Sequence, residues 1–155
     1  MNQNKFARRR LRDFMEIESI SQRSLSLKIR VDRKSVKLWL QGSNYPHYIF
    51  LIRLAVYFNV RVDYLLDLEE GAGGEEKVFA DNFDESVVHQ NFRMHLIEYI
   101  KKEQLTQYAL AKKLNIGQST LKRWIEKGSM PEVATIIKLA KIMDVSIHEL
   151  LIGDH

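Results

Sequence analysis

The chain contains no cysteine, which excludes disulfides, thiolate metal sites and cysteine nucleophiles and suits a reducing compartment. Long apolar runs are missing too. Nothing approaches the roughly 18 residues of a membrane span, and the basic stretch Met1 to Arg12 has no apolar core of the secretory kind. A soluble intracellular protein is expected, with no membrane partner.

Signatures of catalysis are equally scarce. His47, His89, His95, His148 and His155 share no metal-ligand spacing, and no triad or paired-carboxylate pattern converges. The run Asp81, Asp84, Glu85 lacks the alternating ligands and central glycine of a calcium loop. Gly71, Gly73 and Gly74 stand between glutamates, with no preceding buried strand and no Lys-Ser/Thr after them, so a phosphate-cradling loop is not expected. These absences predict a non-enzyme without metal or cofactor.

What is present is a division of charge. Residues 1–70 carry 13 basic and 8 acidic side chains, residues 71–90 carry 1 and 5, and residues 91–155 carry 10 and 7. Two basic blocks therefore flank an acidic spacer, an arrangement that fits two nucleic-acid-binding modules joined by a segment repelled from phosphate.

The sequence is also written twice. A shift of 85 positions aligns Arg8 to Leu66 with Arg93 to Leu151 without a gap. Identical pairs along this register include Leu11/Leu96, Gln22/Gln107, Leu25/Leu110, Lys28/Lys113, Lys37/Lys122, Trp39/Trp124, Pro46/Pro131, Leu54/Leu139 and Val60/Val145.

Each copy reads as five short helices, and no strand pattern competes. In the second copy Ser86 is expected to cap a helix running to Glu103, with Val88, Phe92, Leu96, Tyr99 and Ile100 along one side. Thr106 would cap a helix over Gln107–Leu114, Gly117 would open one over Gln118–Lys127, Pro131 would start a fourth, and Ser146 with Glu149 would form a capping box for the fifth. The first copy offers a helix over Asn4–Glu18, then Ser21 and Asp32 as caps and Pro46 before its fourth helix. The expected domains are 1–68 and 86–155, with an acidic, glycine-rich linker over 69–85.

Leu105 to Ala111, followed after a short turn by Ser119 to Trp124, resembles the helix-turn-helix of the lambda and 434 repressor and Cro family. Pro131, Leu139-Ala140, Val145 and Leu150-Leu151 extend the resemblance, as do Pro46, Leu54-Ala55, Val60 and Leu65-Leu66 in the first copy. The likeness implies an all-α fold of two tandem five-helix domains. It departs from the family pattern at Leu40 and Ile125 after each tryptophan, at the glycine that falls one position later in the second copy, and at Ser24, Ser26 and Arg30.

The resemblance implies a sequence-specific regulator of double-stranded DNA that places each third helix in a major groove. Because the family is rich in repressors, it implies a repressor. Arg33, Lys34, Ser35 and Lys37 would line that helix in the first copy; Gln118, Ser119, Thr120, Lys122 and Arg123 would line it in the second. Gln22, Arg23, Gln107 and Tyr108, at the second-helix starts, would sit beside phosphate or an outer base. Arginine and lysine can donate to guanine, and glutamine can bridge adenine. Because the two sets differ, one chain should read two unlike half-sites. A flexible linker of about 20 residues spans about 25 Å on average, with a contour long enough for the 34–36 Å between successive major grooves.

Tyr48, Ile49, Phe50, Val56 and Tyr57 form a wider apolar arc on the fourth helix of the first copy than the second copy has. They suggest a homodimer contact, or simply a larger local core. A rival reading is a protein-interaction adaptor of the antitoxin or antirepressor type, using the same fold. Neither reading leaves room for a small-molecule effector domain.

Overall fold

The computed structural model describes residues 6–70 and 77–153. The described residues are helical and connecting segments, with no strand among them. The chain divides into two compact units, Met1–Phe83 and Asp84–His155.

In the first unit the helices are α1 (Arg9–Ile17), α2 (Gln22–Ile29), α3 (Arg33–Leu40), α4 (Tyr48–Phe58) and α5 (Val62–Leu65). In the second they are α6 (Val87–Lys102), α7 (Gln107–Leu114), α8 (Gln118–Glu126), α9 (Val133–Met143) and α10 (Ile147–Ile152). Four helices of each unit begin in the same register, at Gln22/Gln107, Arg33/Gln118, Tyr48/Val133 and Val62/Ile147, 85 positions apart.

Local chemistry sets these starts. The hydroxyls of Ser21, Thr106 and Ser146 accept the N–H of the residue three on, at 3.1, 3.0 and 2.9 Å, and Asp32 does the same for Ser35 at 2.7 Å. Left-handed residues stop α2, α4, α7 and α9, at Arg30, Asn59, Asn115 and Asp144. Asn and Asp tolerate that conformation better than most residues; Arg30 takes it without that advantage.

Three helix starts differ from the sequence reading. Asn4 and Lys5 lie outside the described residues, and α1 begins only at Arg9, after an Arg8 that makes no side-chain cap. Phe6 instead is buried, with its ring edge-on to Tyr45 at 6.2 Å, so this stretch serves as an anchor ahead of the helix. Ser86 stands at the N-cap of α6 but makes no side-chain cap bond, because its backbone is already in the helical region (φ −66°, ψ −19°) rather than extended; its N–H donates to the Asp84 carboxylate at 2.9 Å. Pro131 precedes α9 by two positions, with Glu132 at the N-cap, and is itself buried.

The cores repeat as the boundaries do. Leu11/Leu96, Leu25/Leu110, Ile29/Leu114, Val36/Leu121, Trp39/Trp124, Leu51/Ile136, Leu54/Leu139, Ala55/Ala140, Leu65/Leu150 and Leu66/Leu151 are buried in both units. The period of roughly 3.6 residues thus turns one stripe of every helix inward.

Of the stretch 69–85 read as linker, residues 71–76 lie outside the described residues. Around them the chain is tied to the first unit. Glu69 pairs with Arg61 at 3.1 Å, Val78 donates its N–H to Asn59 Oδ1 at 2.9 Å, and Phe79 is buried.

The first unit is closed by an ionic cluster that joins its two ends. Asp67 accepts from Arg9 at 2.6 Å and from Arg10 at 3.2 Å, while the Arg10 guanidinium lies 3.6 Å over the Tyr64 ring. The Arg9 hydrogen bond, with the charges of Arg9 and Arg10 behind it, holds the Asp67 carboxyl below its ordinary value of 3.8. A carboxylate so depressed contributes stability that is complete above the ordinary value and is lost as pH falls through the lowered one. Asp67→Asn should therefore destabilise the first unit by about 1–3 kcal/mol at neutral pH. The gap from wild type should shrink on acidification, as thermal melts at pH 7 and pH 2.5 would show; equal gaps at both pH values would contradict the assignment.

Candidate nucleic-acid interface

The amphipathic pattern of α3 and α8 decides what faces solvent. Val36 and Trp39, like Leu121 and Trp124, are buried, so the residues between them must point outward. Arg33, Lys34 and Lys37 are exposed on α3, with Ser35 half-buried; Gln118, Ser119, Lys122 and Arg123 are exposed on α8, with Thr120 half-buried. Arg23, Gln107 and Tyr108 are exposed at the starts of α2 and α7, whereas Gln22 is half-buried and shares a shallow groove with Arg12 and Leu40. In each unit the predicted residues thus lie on the starts and outer faces of two successive helices.

The two outer faces are not equally free. No ion pair among the described residues engages Arg33, Lys34 or Lys37. On α8, Arg123 reaches Thr120 Oγ1 at 3.4 Å and Lys122 lies 4.0 Å from Glu126. Both contacts are exposed and long, so they cost little to exchange for a partner.

The helix starts differ more. At α3 the Asp32 carboxylate occupies the N-terminus, and the backbone N–H of Ser35, then its side chain, hold that carboxyl below its usual range. At α8 the corresponding residue is Gly117, which supplies no side-chain cap. Its φ of −73° is open to any residue, and an added Cβ would meet nothing nearer than Ser119 Oγ at 3.8 Å. Neither strain nor crowding therefore demands glycine here. Its effect is to leave the positive dipole end of α8 without a side-chain cap, although the Thr120 N–H turns back to Gly117 O at 3.1 Å, and this favours an approaching anion.

Gly117→Asp should accordingly raise the thermal midpoint of the second unit by a few degrees, through a new cap and the helix dipole. It should also weaken DNA binding by about tenfold or more, through like-charge repulsion. Tm and Kd measured on the same preparation check both signs; a rise in Tm with unchanged affinity would remove α8 from the interface.

Several residues that position these helices escape a reading of the sequence. Arg8 Nη1 donates to Gln41 O at 2.6 Å and Arg12 Nη2 to Leu40 O at 3.4 Å, so α1 holds the end of α3. In the second unit Arg93 Nε donates to Ile125 O at 2.7 Å and His89 Nε2 bonds Trp124 O at 2.8 Å. A matching pair secures the preceding helix: Arg53 donates to Ile29 O at 3.2 Å, and Lys138 donates to Leu114 O at 3.5 Å. Cations at helix C-termini complement the dipole, and here they fix both helices of each outward-facing pair. Arg8 and Arg93 share one position of the repeat, and that identity is the available signal.

Gly42, after α3, has φ +72° and lies against Arg8, where a Cβ would come within 3.2 Å of Nη1. The positive φ is what favours glycine here, since the Arg8 side-chain tip could give way by the few tenths of an ångström a Cβ needs. The second unit meets the same need one position later in the repeat, at Gly128 with φ +76°.

The suggested dimer arc is only partly available. Phe50 packs against Trp39 at 6.0 Å, and Tyr48, Ile49 and Phe50 are half-buried, whereas Val56 and Tyr57 remain exposed at 37% and 38%. Among the described residues no group of three His, Asp or Glu side chains could hold a metal, and no helix is long and apolar enough to cross a membrane.

Geometry of this kind defines a class, the helix-turn-helix proteins. Residues 96–150 match the family described as Helix-turn-helix. That match, over about a third of the chain, is to the XRE-type helix-turn-helix family, DNA-binding transcription regulators that include the lambda repressor and Cro. The match falls on the second copy and includes α7 and α8 whole. No curated protein and no solved structure matches the chain.

Proposed function

We propose that the protein is a repressor of transcription with two tandem helix-turn-helix domains, 1–68 and 86–155, that read the unlike halves of one operator. The observation that carries this reading is the repetition of one outward-facing helix pair, donor-rich in both units, within a chain whose second copy matches the family. α3 and α8 would each enter a major groove. Arg33, Lys34 and Lys37 on one side, and Gln118, Ser119, Lys122 and Arg123 on the other, would meet base edges and phosphates, with Ser35 and Thr120 at their margins. Gln22, Arg23, Gln107 and Tyr108 would fix the register against the backbone.

Differences between the two faces support unlike half-sites. The α3 face is dominated by cations and starts at a carboxylate, whereas the α8 face is richer in neutral donors and starts at an open helix terminus. Regulation of this kind would take place in the bacterial cytoplasm.

The exposed Val56 and Tyr57 favour a second reading, in which the first unit pairs with another protein or a second copy. Salt separates the two. A protein making six or more phosphate contacts should lose about a thousandfold in affinity between 50 and 200 mM salt. Binding that is weak and flat across this range would favour the adaptor.

A further inference from the structure

On the outer face of α3 one side chain is neither donor nor acceptor. Leu38 is 41% exposed, one turn after Lys34 and one turn before Gln41, and its neighbour Lys37 is exposed as well. Its counterpart in the repeat is Arg123, exposed on the same face of α8. An isolated exposed leucine is ordinary on a protein surface. This one is set within the face that carries the cations, where docking on a duplex would bury it against base edges.

The major groove offers little for such a side chain. Base edges there present hydrogen-bonding groups, with one apolar exception, the 5-methyl of thymine, which 5-methylcytosine reproduces on a G·C pair. A leucine pressed onto a donor or acceptor would leave that group without a partner, so the surface that suits Leu38 is a methyl group.

We infer that Leu38 is a specificity-determining residue that recognises a pyrimidine 5-methyl group in the half-site of the first unit. The inference rests on the proposal that α3 enters the major groove. Lys34 and Lys37 then hold the helix on the duplex, and Leu38 excludes water from the methyl. The corresponding place under α8 is met by Arg123, whose chemistry suits guanine. The repeat thus reads an apolar group with one copy and a hydrogen-bonding edge with the other.

The test uses the full chain and an operator selected by the wild-type protein. In the half-site that Arg33→Ala, Lys34→Ala blurs, each thymine is replaced singly by deoxyuridine, which removes only the methyl. One replacement should weaken wild-type binding by about three- to tenfold and leave Leu38→Ala almost unaffected. 5-Methylcytosine at that position should then be compared with cytosine. A gain for wild type shows that the methyl is read whichever base carries it; no gain assigns recognition to thymine. Leu38→Arg, matching the second copy, should move the preference there toward guanine and guards against a Leu38→Ala protein that is merely less stable. If the half-site exists but no thymine methyl matters more to wild type than to Leu38→Ala, the inference is wrong. If the first-unit variants blur no half-site at all, the reading beneath it falls as well.

Discussion

Replacing Arg33 and Lys34 by alanine, or Gln118 and Ser119 by alanine, should each lower affinity for the full operator by about a hundredfold or more. The size follows from tethering. Once one unit is bound, the covalent connection holds the other at about millimolar effective concentration, so two weak contacts multiply. Removing one recognition surface removes its own contacts and that multiplication together. The two variants should also differ in kind, because the first deletes charge and the second deletes neutral donors. Arg33→Ala, Lys34→Ala should reduce the slope of log affinity against log salt by up to about two, one for each phosphate that is no longer neutralised. Gln118→Ala, Ser119→Ala should leave the slope nearly unchanged while relaxing base preference. Equal slopes and equal base preferences in both variants would show that these side chains play no distinct parts.

Trp124→Ala should unfold the second unit near physiological temperature. Trp124 is 5% exposed and meets Phe92 edge-on, at 6.1 Å between centroids. Truncating a buried tryptophan costs about 3–5 kcal/mol, and a domain of this size rarely has more than about that in reserve. The consequence for DNA binding should match that of deleting α8. Because each unit contains one tryptophan, the fluorescence of Trp39 reports the first unit alone in this variant. If the units fold independently, its unfolding midpoint should stay at the wild-type value. A midpoint that falls with the second unit would show that the two are thermodynamically coupled.

The helix pairs α2–α3 and α7–α8 are legible in the sequence because their starts are written in local chemistry. Ser21, Asp32, Thr106 and Gly117 each stand one residue before a helix that starts where the pattern places it, and α7 coincides with its expected span. The outer faces follow from the buried positions of Val36, Trp39, Leu121 and Trp124. The start of α1 is not legible. No capping residue marks it, and Phe6 is held by Tyr45, which lies far along the sequence. Neither are the cations that secure the C-termini of α2, α3, α7 and α8, since Arg8, Arg53, Arg93 and Lys138 act on carbonyls 24 to 33 residues away. Leu38 is hidden for another reason. Donors and acceptors mark a recognition helix, and an apolar residue among them looks like core until its exposure is known.

That one chain reads two unlike half-sites with α3 and α8 is tested most directly by selecting bound sequences from a random double-stranded DNA library, with the intact protein and with the two recognition-helix variants. A bipartite motif, each half of which is blurred by a different variant, is the predicted result. A protein that enriches no motif, and binds weakly at every salt concentration, would contradict it.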